Sequence, residues 1–120
     1  MDARTRRIIA FVAASAGSER DVRSIVEVES GLTTQFQGEV EPDRVALFDV
    51  DDGAVISGMG EGRALHLSDS LTGVDVKLWI QGDRFYGWIL TSDQPFFGRV
   101  RDNEIVVRHP GDVKAYRFLV

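Results

Sequence analysis

Phe85-Tyr86-Gly87-Trp88-Ile89 and Phe96-Phe97-Gly98-Arg99-Val100 spell one pattern twice: an aromatic, any residue, glycine, any residue, a branched aliphatic. Phe36-Gln37-Gly38-Glu39-Val40 is a third copy, and Ile56-Ser57-Gly58 is a degenerate one. In an extended chain residues i, i+2 and i+4 share a face, so the aromatic, the glycine and the branched residue point the same way. A glycine inside a strand marks a close approach or a bend. Here it leaves room for a neighbouring aromatic ring in a narrow interior.

Outward from this stretch the same texture continues. Val74, Val76, Leu78 and Ile80 alternate on one face, the chain turns at Gln81-Gly82-Asp83-Arg84, and Phe85 starts the return strand. Turn-prone clusters recur at Asp43, Asp51-Asp52-Gly53, Asp102-Asn103 and Pro110-Gly111-Asp112. A longer repeat contains the short one: 36–56 aligns with 96–115, pairing Gly38 with Gly98, Val40 with Val100, Asp43 with Asn103, Val45 with Ile105 and Leu47 with Val107. Turn centres near Gly31, Gly53, Ser70, Asp93 and Gly111 lie about 20 residues apart, the length of one hairpin. Several such units without crossover helices predict a mainly β fold, an antiparallel repeated-hairpin barrel over 22–119 that closes to remove its edges. At 120 residues it forms one domain.

The N-terminal segment has two readings. Arg4, Arg6 and Arg7 before the apolar run Ile8–Ala14, followed by Ala14-Ser15-Ala16, have the outline of a very short secretory signal. The favoured reading is an α-helix over 1–17, begun by Asp2, ended by Gly17 and apolar along Ile8, Val12 and Ala16. Residues 18–29 are also ambiguous: Ser18 and Asp21 suit the cap of a second helix through Val22, Ile25 and Val26. Val26 and Val28 alternating with glutamates favour a strand instead. No stretch approaches the roughly 20 apolar residues that span a bilayer.

The recurring tracts Phe48-Asp49-Val50-Asp51, Phe96-Phe97-Gly98-Arg99-Val100 and Ala115-Tyr116-Arg117-Phe118 give the chain a wider likeness. Over about 25–118 it resembles small bacterial β-flower-type domains, shallow barrels built from repeated hairpins. The resemblance implies a fold and brings no catalytic residue with it.

Composition narrows the chemistry. With no cysteine there is no disulfide, thiolate metal site or cysteine nucleophile. The net charge of −5 is uneven: residues 24–60 carry eight acids against Arg44 alone. An acidic domain is a poor match for nucleic acid, which is held by clustered cations. Of 14 basic residues 12 are arginine, which points to a GC-rich bacterial genome. A cytoplasmic location is expected, with secretion as the alternative.

Each candidate catalytic or metal site has a plainer reading. Phe48-Asp49-Val50-Asp51-Asp52-Gly53 superficially resembles the aspartate loop of haloacid-dehalogenase-type phosphatases, but Asp52 breaks the spacing and Ala54 stands where threonine belongs. As a calcium loop it places Gly53 one position early. A solvated acidic turn is the expectation, with Glu39, Glu41 and Asp43 nearby. His66 and His109 form no triad with a local serine and carboxylate. Gly58-Met59-Gly60-Glu61-Gly62 lacks the strand-to-helix context of a phosphate cradle and reads as a loop. No catalytic residue, metal ligand or cofactor is assigned.

The aromatics are more informative. If Phe85, Gly87 and Ile89 face inward, Tyr86 and Trp88 face outward, and by the same alternation so do Trp79 and Phe97. An outer apolar patch of this size calls for a cover: the chain's own helix through Ile8, Phe11 and Val12, a second subunit, or a ligand. The leading expectation for function is a non-enzymatic interaction module, self-associating or binding a protein partner through Trp79, Tyr86, Trp88 and Phe97. A barrel that binds a small molecule in its interior and an enzyme of unknown class are the alternatives.

Overall fold

In the computed structural model, which describes residues 1–17 and 22–120, the described residues form one helix and ten strands. They are α1 (Ala3–Gly17), β1 (Ser24–Glu27), β2 (Thr33–Val40), β3 (Arg44–Asp49), β4 (Ala54–Glu61), β5 (Ala64–Asp69), β6 (Asp75–Gln81), β7 (Arg84–Ile89), β8 (Gln94–Arg101), β9 (Glu104–Arg108) and β10 (Tyr116–Leu119). Successive strands pair antiparallel, and β1 also pairs with β10 through Val26–Leu119 and Glu27–Phe118. The sheet therefore closes into the expected barrel and leaves no open edge. Ser18 and Asp21, the suggested caps of a second helix, lie outside the described residues. Ser24–Glu27 is strand, and its fully buried residue is Ile25 rather than either valine.

Turns recur about 20 residues apart at each end of the barrel. At one end the hairpins turn at Pro42-Asp43, Gly62-Arg63, Gly82-Asp83 and Asp102-Asn103. Gly62, Gly82 and Asp102 hold the same left-handed position, with φ of 62°, 64° and 55°. At the other end the N–H groups of Gly31, Gly53 and Gly73 donate to the carbonyls of Glu27, Asp49 and Asp69, one wider turn each. The third of these turns is completed by Gly73, with Ser70 near its start. Asp102 is the exception in the first set, since a Cβ in the left-handed region costs about 1–2 kcal/mol. Asp102→Gly is accordingly expected to raise the unfolding free energy by about 1 kcal/mol in a urea titration.

Gly58, Met59, Gly60 and Glu61, expected in a loop, belong to β4 and pair with β5. The glycines continue the strand because Gly58 faces Leu67 and Val45 at close range, where a side chain has no space.

The position of the helix is the main correction. It does not cover the outer aromatics; it threads the barrel. Ile8, Ile9, Ala10, Phe11, Val12, Ala13 and Ala14 are all buried, on every side of the helix. An eight-stranded barrel fills its interior with strand side chains alone, and two further strands open a wider lumen. A helix measures 10–12 Å across with ordinary side chains, and Ala10, Ala13 and Ala14 make this one slimmer. Phe11 meets Phe36 of β2 at 4.4 Å between ring centres. Phe85, Phe96, Phe118, Ile105 and Val107 close the core from the strands. Asp2 caps the helix as expected, its Oδ1 accepting the Thr5 N–H at 2.7 Å.

Arg4 plugs one end. Its Nε donates to Asp69 Oδ2 at 2.7 Å and its Nη1 to Asp49 Oδ2 at 2.7 Å, and both carboxylates are buried. Asp49 and Asp69 each begin one of the wider turns, so two turns converge on one guanidinium. Burial pushes the Asp69 carboxyl up, but Arg4, the Leu71 N–H and the Thr72 hydroxyl together hold it below the usual carboxylate range.

Candidate functional site

Strand alternation turns Tyr86, Trp88 and Phe97 outward, as the sequence predicts, and with the helix inside the barrel they stay exposed. Cross-strand register aligns Trp79, Tyr86, Phe97 and Arg108 in one row across β6, β7, β8 and β9. Trp79 is half-buried and stacks on Tyr86, with ring centres 5.5 Å apart and planes 2° from parallel. Trp88 lies in the next row, opposite Lys77 and Pro95, and its Nε1–H donates to Asp93 Oδ1 at 3.0 Å. All four predicted residues thus share one outer surface, and stacking and a hydrogen bond hold three of the rings, Trp79, Tyr86 and Trp88.

A second row runs beside the aromatic one. Arg84 pairs with Arg99, Arg99 with Val106, and Val106 with Arg117, across β7 to β10. With Arg108 these arginines line a groove of about 350 Å³, shared with Phe97, Val106 and a single acid, Glu104. All four are exposed, and no ion pair among the described residues involves them. Sequence reasoning missed this cluster because residues 61–120 are neutral in sum. Its signal was positional: Arg84, Arg99 and Arg117 fall on outward positions that the register brings side by side.

The opposite side of the barrel has the reverse character. Phe48 pairs with Val55 on the outer face of β3 and β4, and Met59 lies further along β4 at 72% exposure. Glu39, Glu41 and Asp43 rim this patch at one end together with Arg44, the cross-strand partner of Met59, and Asp51 lies at the other end. Between the two faces, Glu61 accepts from Lys77 at 3.0 Å and lies 3.2 Å from His66, whose other nitrogen is 3.5 Å from Asp75. Lys77 and then His66 hold the Glu61 carboxyl below its ordinary range.

The remaining candidates separate. His66 lies on β5, whereas His109 follows β9 and contacts Asp112 at 3.2 Å. Asp49 and Asp52 turn their carboxylates onto Arg4, so the Asp49 carboxylate on which the phosphatase and calcium readings rest is engaged by a guanidinium. Among the described residues no three His, Asp or Glu side chains are grouped to hold a metal. The lumen, where a small-molecule barrel keeps its ligand, is occupied by the helix. No helix among the described residues is long and apolar enough to cross a membrane.

No protein-family model matches the chain, and neither a curated protein nor a solved structure matches it.

Proposed function

We propose that the protein is a non-enzymatic interaction module whose working surface is the outer face of β6–β9. The observation that carries this reading is the continuous row Trp79–Tyr86–Phe97, its first two rings stacked and the row left uncovered by the chain's own helix. Pre-ordered aromatics flanked by arginine are the side chains that dominate binding energy at protein interfaces. Ordering them beforehand lowers the entropy cost of association. The repeat pattern's kinship with β-flower-type domains belongs to the same proposal, at the level of fold.

The test is a photo-crosslinking amino acid placed at Tyr86, with a control at Thr33 on the outer face of β2, in cells expressing the full chain. The expected result is a defined adduct from position 86 that is several-fold weaker from position 33 and is abolished by Phe97→Ser. Equal labelling from both positions, or none from either, overturns the proposal.

A further inference from the structure

Resting on that reading, we infer that the partner of the arginine–aromatic face is the acidic face of a second copy of the same chain, packed head to tail.

Three observations converge on this occupant. The first is charge. Residues 84–120 carry six bases against four acids, and residues 24–60 one base against eight acids. Arg4 takes up Asp49 and Asp52 and Lys114 takes up Glu29, which leaves Glu39, Glu41, Asp43 and Asp51 exposed. An acidic protein that keeps four unpaired arginines together has a cationic face suited to an acidic surface, and its own is available at equal concentration.

The second is apolar matching. Each face has an exposed apolar centre inside its charged surround: Trp88, Tyr86 and Phe97 on one, Phe48, Val55 and Met59 on the other. Methionine is the adaptable partner for aromatic rings, and Met59 is the most exposed residue of its patch.

The third is placement. In the ring of ten strands β8 stands opposite β3, and β9 opposite β4. The two faces therefore point away from each other and cannot meet within one molecule. One side of a molecule measuring 31 × 28 × 28 Å offers on the order of 800 Å², the share each partner contributes to a standard interface.

Joining unlike faces on opposite sides gives a heterologous contact, which propagates as an open chain unless a rotation closes it into a ring. Sedimentation velocity on the full-length chain tests this with two variants altered only at exposed positions. Phe97→Ser with Arg99→Ser blocks one face; Phe48→Ser with Met59→Ser blocks the other. The wild-type weight-average mass is expected to climb with concentration past twice the 13.3 kDa chain. It should fall several-fold in 1 M salt, where the screening length shrinks to about 3 Å. Each variant alone should sediment as a monomer, and an equimolar mixture should stop at a 1:1 dimer, because one intact face of each kind remains.

A wild type that stays monomeric at every concentration overturns the inference, as does a wild-type dimer that forms no larger species. So does a mixture that behaves as two monomers. If the Tyr86 crosslink then joins the chain to a different protein, the second copy is refuted while the interaction module stands. If position 86 gives no specific adduct at all, both fail together.

Discussion

Arg4→Met lowers the unfolding free energy by about 3–5 kcal/mol at pH 7, the cost of stranding buried carboxylates without their counter-charge. Asp49 and Asp69 are 2% and 5% exposed, so water cannot replace the guanidinium. Asp52 is the contrast. It also bonds Arg4 at 2.7 Å, but it is 46% exposed, and Asp52→Asn is expected to cost at most about 1 kcal/mol.

The pH dependence separates lost charge from lost packing. In the wild type the Asp69 pKa is depressed on folding. The pair's contribution is therefore fully present above the unfolded value near 3.8 and fades as pH falls through the lower folded value. In the Arg4→Met protein burial is opposed only by the Leu71 N–H and the Thr72 hydroxyl, so the folded Asp69 carboxyl titrates higher than in the wild type and the variant loses less stability on acidification. The gap between the two proteins should narrow in urea titrations as the pH falls from 7 through the unfolded value near 3.8. A gap that is constant across that range refutes the account.

Gly98→Ala is the second large effect. Phe85 pairs with Gly98 and Phe96 with Gly87, so each ring lies over the other strand's glycine. A Cβ on Gly98 would lie 2.1 Å from the Val106 carbonyl oxygen and 2.4 Å from the Phe85 ring. Backbone on one side and a buried ring on the other leave no soft neighbour to yield. The expected loss is about 3 kcal/mol, at the upper end of overpacking costs. Gly58→Ala should lose less, because its nearest neighbour is the end of the Leu67 side chain at 2.7 Å. Equal losses for the two variants, measured by urea unfolding, would refute this reading of the repeated motif.

That motif is also where the sequence was most legible. Two-residue alternation through Phe85, Gly87 and Ile89 placed the inner and outer faces correctly, because a strand's side-chain period does not depend on its partners. Closure followed from hairpins of nearly equal length. The helix was misplaced because Ile8, Val12 and Ala16 were read as one stripe. The better signal was the unbroken run Ile8–Ala14, which covers all sides of two turns, and a helix apolar all round is a buried one. The Arg4 plug was harder to see, since its partners lie 45 and 65 residues away. Only the recurrence of Asp49 and Asp69 about 20 residues apart pointed to it. The arginine row emerged from register, which hydropathy alone does not supply.

A barrel wound around its own first helix also dictates an order of assembly. The pairing of Val26 with Leu119 that seals the wall joins nearly opposite ends of the chain. During synthesis the helix emerges before the ten strands and β10 after the other nine, so the growing sheet has two free edges until translation reaches β10. Contacts this distant in sequence make folding slow, and the open intermediate can pair with other chains. The helix offers the early hairpins an apolar post to gather on, well before there is a wall to enclose it.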